Sequence, residues 1–242
     1  MSNAVEVNGI NMMFNMSKEK LGSLKEYLLR FAKRQLYYEA FAALTDVNFQ
    51  IEKGDVFGIV GVNGSGKSTL LKIVSGIMKP TSGSVRTEGS IAPLIELGAG
   101  FDNELTAREN IFLNGSVLGY SKRYITGHFN DIVEFSEMRD FLDMPMKNYS
   151  TGMVARVGFA IATIIKPDIL VIDEILAVGD FRFQEKCERR IAELMSGGTT
   201  VLIVSHSVEQ IERLCKHALW LEHGMVKMLG NAGEVCAAYK NN

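Results

Sequence analysis

Positive charge is not in surplus in this chain: 26 Lys and Arg stand against 28 Asp and Glu, a formal net charge of −2 at pH 7. That balance gives no reason to expect nucleic acid or an anionic membrane surface as partner, and there is no basic tract to override it. Cysteine is scarce too. Cys187, Cys215 and Cys236 are widely spaced, with no CxxC and no Cys/His pairing. This excludes a disulfide framework or a zinc site and fits reduced thiols. Long apolar runs are missing: the longest clean one, Val157 to Ile165, falls far short of the about 20 residues that span a bilayer. The start, "MSNAVEVNGI", lacks a basic segment followed by an apolar core, so no secretion signal is visible. Internal repeats and low-complexity segments are absent as well. What remains is 242 residues, 47% hydrophobic, enough to bury a full core as one large domain or two lobes. The chain is expected to be soluble and cytoplasmic, with any membrane role exercised through a partner.

Several segments read as strands. "AVEVNGI" and "FAALTDVNFQIEKGD" have strand character, the second closed by a Gly54-Asp55 turn. Between them Leu21, Leu24, Leu28, Phe31 and Ala32 recur at helical spacing beside Lys25, Lys33 and Arg34, which predicts an amphipathic helix over about 17–40. On pattern alone that helix could equally be an ordinary packed surface helix. "VFGIVG", "ILVID" and "TVLIVSH" are near-continuous apolar runs, as expected of strands covered on both faces. Helical patterns separate them, which predicts an α/β fold with a mostly parallel sheet. Residues 102–165 hold no convincing strand and predict a helical lobe.

The chemistry concentrates in short motifs. "GVNGSGKST", residues 61–69, follows a strand and precedes the apolar run "LLKIVSGI", the phosphate-loop pattern in its required context. Gly61, Gly64 and Gly66 let backbone N–H groups wrap phosphates, Lys67 would reach the β- and γ-phosphates, and the Ser68 hydroxyl would ligate Mg²⁺. "ILVIDE" ends a strand in Asp173, a carboxylate able to hold Mg²⁺ through water, and the adjacent Glu174 could polarise an attacking water as general base. His206 ends another apolar strand. A lone histidine there is usually structural, but this one falls near the expected γ-phosphate edge. Finally, "NYSTGM" opens an apolar helix with Ser150 and Thr151 as capping residues and Gly152 able to let a backbone pass close. Such a helix start is an anion site, yet it carries no lysine of its own.

Phosphate loop, "YSTGM", "ILVIDE", "AVGD" and "SH", in that order, resemble an ABC-transporter ATPase subunit over essentially the whole chain. The resemblance implies a P-loop NTPase fold with a mostly parallel core sheet, a small N-terminal antiparallel β part and a helical subdomain at about 100–165. ATP and Mg²⁺ are the implied ligands, held by Phe14, Gly61, Asn63, Gly64, Ser65, Gly66, Lys67, Ser68 and Thr69 on the ATP, with Ser68, Asp173 and Glu96 at the metal. Glu174 and His206 would be catalytic and Asp180 the D-loop residue. The signature, Ser150, Thr151, Gly152 and Met153, would complete the ATP site of a second copy, so a homodimer is implied. Phe14 falls where the family stacks adenine, with Tyr37, Tyr38 and Phe41 as competitors.

Three departures from the commonest family pattern narrow the expectation. Met153 replaces the usual Gln, Ile175 stands where many members have Pro, and Glu96-Leu97-Gly98 occupies the place of a Mg²⁺-contacting glutamine. With "FQEKCERRI" after Asp180 and the helix at 17–40, these are similar to the branch that exports O-antigen, capsule and teichoic-acid polymers. The implied role is ATP hydrolysis driving a lipid-linked polysaccharide through a polytopic permease, present in two copies, at the cytoplasmic face of the plasma membrane. No nucleic acid partner and no C-terminal carbohydrate-binding domain are expected. A different cargo, such as a lipid or drug, is the alternative. A soluble ATPase of ribosomes or DNA is a more distant one, since tandem cassettes and a long coiled coil are lacking.

Overall fold

The computed structural model describes residues 2–17, 38–95, 97–98, 100–164, 166–173, 179–205 and 207–242. Strands β1 (Asn3–Ser17), β2 (Tyr38–Glu52), β3 (Val56–Val60), β4 (Ser82–Thr87), β5 (Ile91–Pro93), β6 (Ile169–Asp173), β7 (Thr200–Val204), β8 (His217–Glu222) and β9 (Met225–Asn231) form two sheets. Around them lie α1 (Lys67–Val74), α2 (Ala107–Val117), α3 (Lys122–Ser136), α4 (Thr151–Ile164), α5 (Phe181–Ser196), α6 (Val208–Leu214) and α7 (Ala232–Lys240).

The large sheet runs β5-β6-β7-β3-β8-β9, parallel throughout except for the β8/β9 hairpin. Its apolar strands are buried on both faces: every residue of β7 and the first four of β6 are inside. One face packs through Phe57, Ile59, Val171 and Leu202 against α1 and the antiparallel sheet β2-β1-β4. The other packs through Val60, Ile172 and Val201 against Phe159 of α4, Phe183 of α5 and Ile211 of α6. A third core joins α2, α3 and α4 through Ile111, Ile125, Ile132 and Ile161. α2 starts with a capping box in which Thr106 and Glu109 satisfy each other's backbone N–H groups.

Val157 to Thr163 of α4 are all buried between two of these cores. The longest apolar run of the sequence is therefore a core helix, and among the described residues no helix is long and apolar enough to cross a membrane. β1 and β2 extend further than expected, pairing as far as Ser17 opposite Tyr38. Ser17 and residues 38–40, the margins of the helix expected at about 17–40, are thus strand, and the rest of that stretch lies outside the described residues. The ladder explains the difference, because each strand satisfies the other's backbone groups without an alternating pattern.

Candidate active site

The phosphate loop lies between β3 and α1, wedged against neighbouring backbone. Gly66 has φ 105°, and a Cβ there would come within 2.7 Å of the Ala43 carbonyl oxygen on β2. A Cβ on Gly61 would come within 2.2 Å of the Leu221 carbonyl oxygen on β8. Only glycine fits both places. Lys67, the first residue of α1, is buried, and its ammonium donates to the carbonyls of Gly61 at 2.6 Å and Val62 at 2.9 Å. The loop thus curls around a cation at the positive end of a helix. The buried Ser65 hydroxyl has no hydrogen-bond partner among the described residues.

Over this loop opens a cavity of about 300 Å³. Asn63, Gly64, Gly66, Lys67, Ser68 and Thr69 contribute to its lining, together with Asp173, Phe14 and Phe41. Phe14 and Phe41 face each other across the β1/β2 ladder, and Phe41 is 47% exposed. Of the aromatic competitors Phe41 joins Phe14 at the cavity, while Tyr37 and the Tyr38 side chain lie outside what is described. Strand order places β7 between β3 and β6, so Asp173 meets the loop across the end of β7. Just beyond that end the Ser205 hydroxyl donates to Gln210 and accepts from the Ser207 N–H, while Ser207 caps α6. Glu96, Glu174 and His206 lie outside the described residues.

This lining fits a nucleoside triphosphate with its metal. The buried ammonium and the helix N-terminus suit phosphate, and the aromatic pair suits a flat base. The Ser68 hydroxyl and Asp173 carboxylate are hard oxygen donors of the kind Mg²⁺ takes alongside phosphate oxygens. Among the described residues no group of three or more His, Cys, Asp or Glu could hold a metal ion without such help.

The signature turn is elsewhere. Ser150 caps α4, its hydroxyl accepting from the Met153 N–H at 3.2 Å, whereas Thr151 is the first helical residue and not a cap. None of Ser150 to Met153 lines the cavity. A Cβ on Gly152 would meet nothing closer than the Ser150 hydroxyl at 3.9 Å, so nothing described in this chain demands glycine there. Asp180 is also away from the cavity. It caps α5 by accepting from the Phe183 N–H at 3.0 Å, a bond that holds its carboxyl below the usual range.

Two residues passed over in the sequence now stand out. Arg156 is the one charged residue of α4, and a lone cation in an apolar helix was the available signal. Tyr239 of α7 lines a second cavity of about 250 Å³ with Gly61, Asn63 and Ser205, a placement no local pattern announces. The three cysteines are buried free thiols, and burial pushes Cys187 and Cys215 up to about 12.

Comparison with known proteins agrees with this geometry. The family model for ABC transporter matches residues 44–177. The O-antigen export system ATP-binding protein RfbB of Klebsiella pneumoniae is 44% identical over 200 residues, covering 83% of this chain and 81% of that protein. ABC transporter protein AbcA of Aeromonas salmonicida is 41% identical over 96% of this chain and 74% of its own length. The teichoic acids export ATP-binding protein TagH of Bacillus anthracis is 38% identical over 99% of this chain, which spans only 43% of that longer protein. In architecture the chain is similar to a dimeric ATP-binding cassette bound to ADP and Pi, with a TM-score of 0.71 at 22% identity, covering 94% of this chain and 98% of that one. A family match across more than half of the sequence and relatives above 40% identity over most of it make this chain a member of the ABC transporter family.

Proposed function

We propose that this chain is the ATP-hydrolysing subunit of an exporter that moves a lipid-linked cell-surface polysaccharide, of O-antigen, capsule or teichoic-acid type, across the cytoplasmic membrane. The observation that carries the ATPase reading is the cavity in which the phosphate loop, Asp173 and two phenylalanines converge. Phe14, with Phe41 beside it, stacks the adenine, and the loop N–H groups and Lys67 hold the phosphates. Ser68 and Asp173 would hold Mg²⁺, which would supply neutralisation of the phosphate charge. Glu174 orients the attacking water and His206 contacts the γ-phosphate edge. Ser150 to Met153 serve the ATP of a second copy, a reading supported by their distance from the chain's own cavity and by the open space around Gly152.

Export of a polysaccharide is supported by the names of two of these relatives, an O-antigen and a teichoic-acid export protein. The partner would be a polytopic permease in two copies, with this subunit peripheral on its cytoplasmic side. A groove of about 560 Å³ between the lobes, lined by Ile77, Pro93, Leu97 and Val117, offers it an apolar seat. Val117 is 71% and Ile77 47% exposed there.

The test has two arms. Glu174→Gln should bind MgATP but hydrolyse it at least about 10²-fold more slowly, with ATP holding a stable dimer on size-exclusion chromatography. Near-normal turnover removes Glu174 from its role. In cells, deleting the gene should strip the polymer from the surface and leave its lipid-linked form inside, restored by wild type and not by Glu174→Gln. Normal surface polymer with disturbed lipid traffic would favour the alternative cargo.

A further inference from the structure

The segment "FQEKCERRI" buries Phe183, Cys187 and Ile191 in the core and lines no part of the nucleotide cavity, yet α5 grips α4 near both ends. Near the C-terminal end Arg190 donates from Nε and Nη2 to the Thr163 carbonyl, at 3.1 and 2.8 Å, in the last turn of α4. Near the N-terminal end stands Arg156, its side chain only 13% exposed. One arm of its guanidinium donates to Glu137 Oε2 at 2.6 Å, the other to Asp180 Oδ2 at 2.8 Å, and its Cζ lies 4.4 Å from the centre of the Phe183 ring. Glu137 ends α3 in a left-handed turn with φ 61°, and its second oxygen accepts from Lys186 of α5 at 3.1 Å. Lys186 also donates to the Phe135 carbonyl at 2.9 Å. Beneath these charges Phe135, Phe159 and Phe183 pack ring against ring. Burial pushes Glu137 up, but the hydrogen bonds from Lys186 and Arg156 outweigh it and hold its carboxyl below the usual range.

Arg156 follows Gly152 by one turn of the same helix, and Asp180 ends the stretch that begins at Asp173. The signature serves a partner's ATP, and the Asp173 stretch serves the chain's own. A planar fork is suited to joining two carboxylates on different elements, which a single ammonium cannot do with the same geometry. We infer that Arg156 is a positioning residue that fastens the signature turn to the Asp180 loop, so that the two move as one piece and each ATP site of the dimer senses the other. This rests on the proposed function, since it needs a dimer with shared sites.

The experiment compares wild type, Arg156→Met, Arg156→Lys and Glu137→Gln by thermal melting, fluorescent ATP-analogue binding and ATPase rate against ATP concentration. Arg156→Met should melt as a folded protein and bind the analogue within about two-fold of wild type, because the phosphate loop is untouched. Its kcat should fall about ten-fold or more, and its Hill coefficient should drop to about 1 from a wild-type value above it. Arg156→Lys should fall in between. Adding Asp180→Asn to Arg156→Met should cost little more, since both remove the same link. An unchanged kcat and Hill coefficient in Arg156→Met overturns the inference, as does loss of analogue binding in step with kcat. If Arg156→Met does not fold, Glu137→Gln decides: a lowered Hill coefficient supports the link and an unchanged one overturns it. A wild-type chain without ATPase activity or ATP-driven dimerisation sinks the proposed function itself, a failure distinct from an active wild type with indifferent variants.

Discussion

Phe14 and Phe41 are directly opposed across two strands, and both border the cavity over the phosphate loop. Base stacking on an aromatic ring is worth about 1–3 kcal/mol by alanine substitution, so losing it weakens binding roughly 5- to 150-fold. Phe14→Ala should show that loss for ATP and none for inorganic triphosphate, which has no base. Phe41→Ala should show a smaller loss of the same kind, its ring being the more exposed. Equal losses for both ligands would mean that the rings shape the loop and do not stack the base. The phosphate loop itself was legible in the sequence because its requirements are local: a glycine at Gly66's positive φ, an ammonium at the head of α1, a hydroxyl beside it. Phe14 was named from the sequence, but its pairing with Phe41 at the cavity was not legible there. Four aromatics competed on pattern, and what brings Phe41 to Phe14 is the register of a ladder between residues far apart in the chain.

Helix α6 shows the same contrast one level up. It starts just past His206 and lies so close on β3 that a Cβ on Gly58 would stand 2.5 Å from Ile211 Cγ2 and 3.1 Å from Cys215 Sγ. Gly58→Ala must push α6 outward, and overpacking of this kind costs about 1–3 kcal/mol, or roughly 2–12 °C of melting temperature in a chain of this size. Ile211→Ala alone should also destabilise, by the cavity it leaves. Combined, the two should cost less than their sum by about 1 kcal/mol or more, because the new methyl enters the space the isoleucine gave up. Strict additivity in urea or thermal unfolding would show that α6 does not rest on Gly58. The strands of the large sheet were readable because burial on both faces leaves one signature, an unbroken apolar run, as in β3, β6 and β7. The far half of β1 was not, because "NMMFNMS" has no alternation, and its strand form comes from pairing with β2. The α4–α5 clamp escaped notice for a similar reason: Arg156, Glu137 and Lys186 come from three helices.

Taken whole, the proposed function divides a reaction centre between two copies, and the signature turn does lie away from the phosphate-loop cavity of its own chain. Mixing two crippled copies tests this. Gly152→Asp aims a carboxylate at a partner's γ-phosphate, and like charges close together in a dry site cost several kcal/mol. Lys67→Ala has a defective phosphate loop and a sound signature. Each should be nearly inactive alone, while the mixed dimer gathers both lesions into one site and leaves the other intact. ATPase activity should therefore reappear on mixing, provided one intact site can fire alone. Where both must fire together, ATP-driven association of the two variants is the readout. Failure of Gly152→Asp to bind ATP by itself would assign the signature to its own cavity. The separation of the two halves also turns rate into a question of encounter. Free copies must find each other by diffusion, so activity per molecule climbs with protein concentration. On the proposed permease, two copies held side by side would meet at an effective concentration in the millimolar range, with no contact in either altered. The spacing of two such berths would then be the throttle, and a scaffold that held them apart would stop the engine without touching its chemistry.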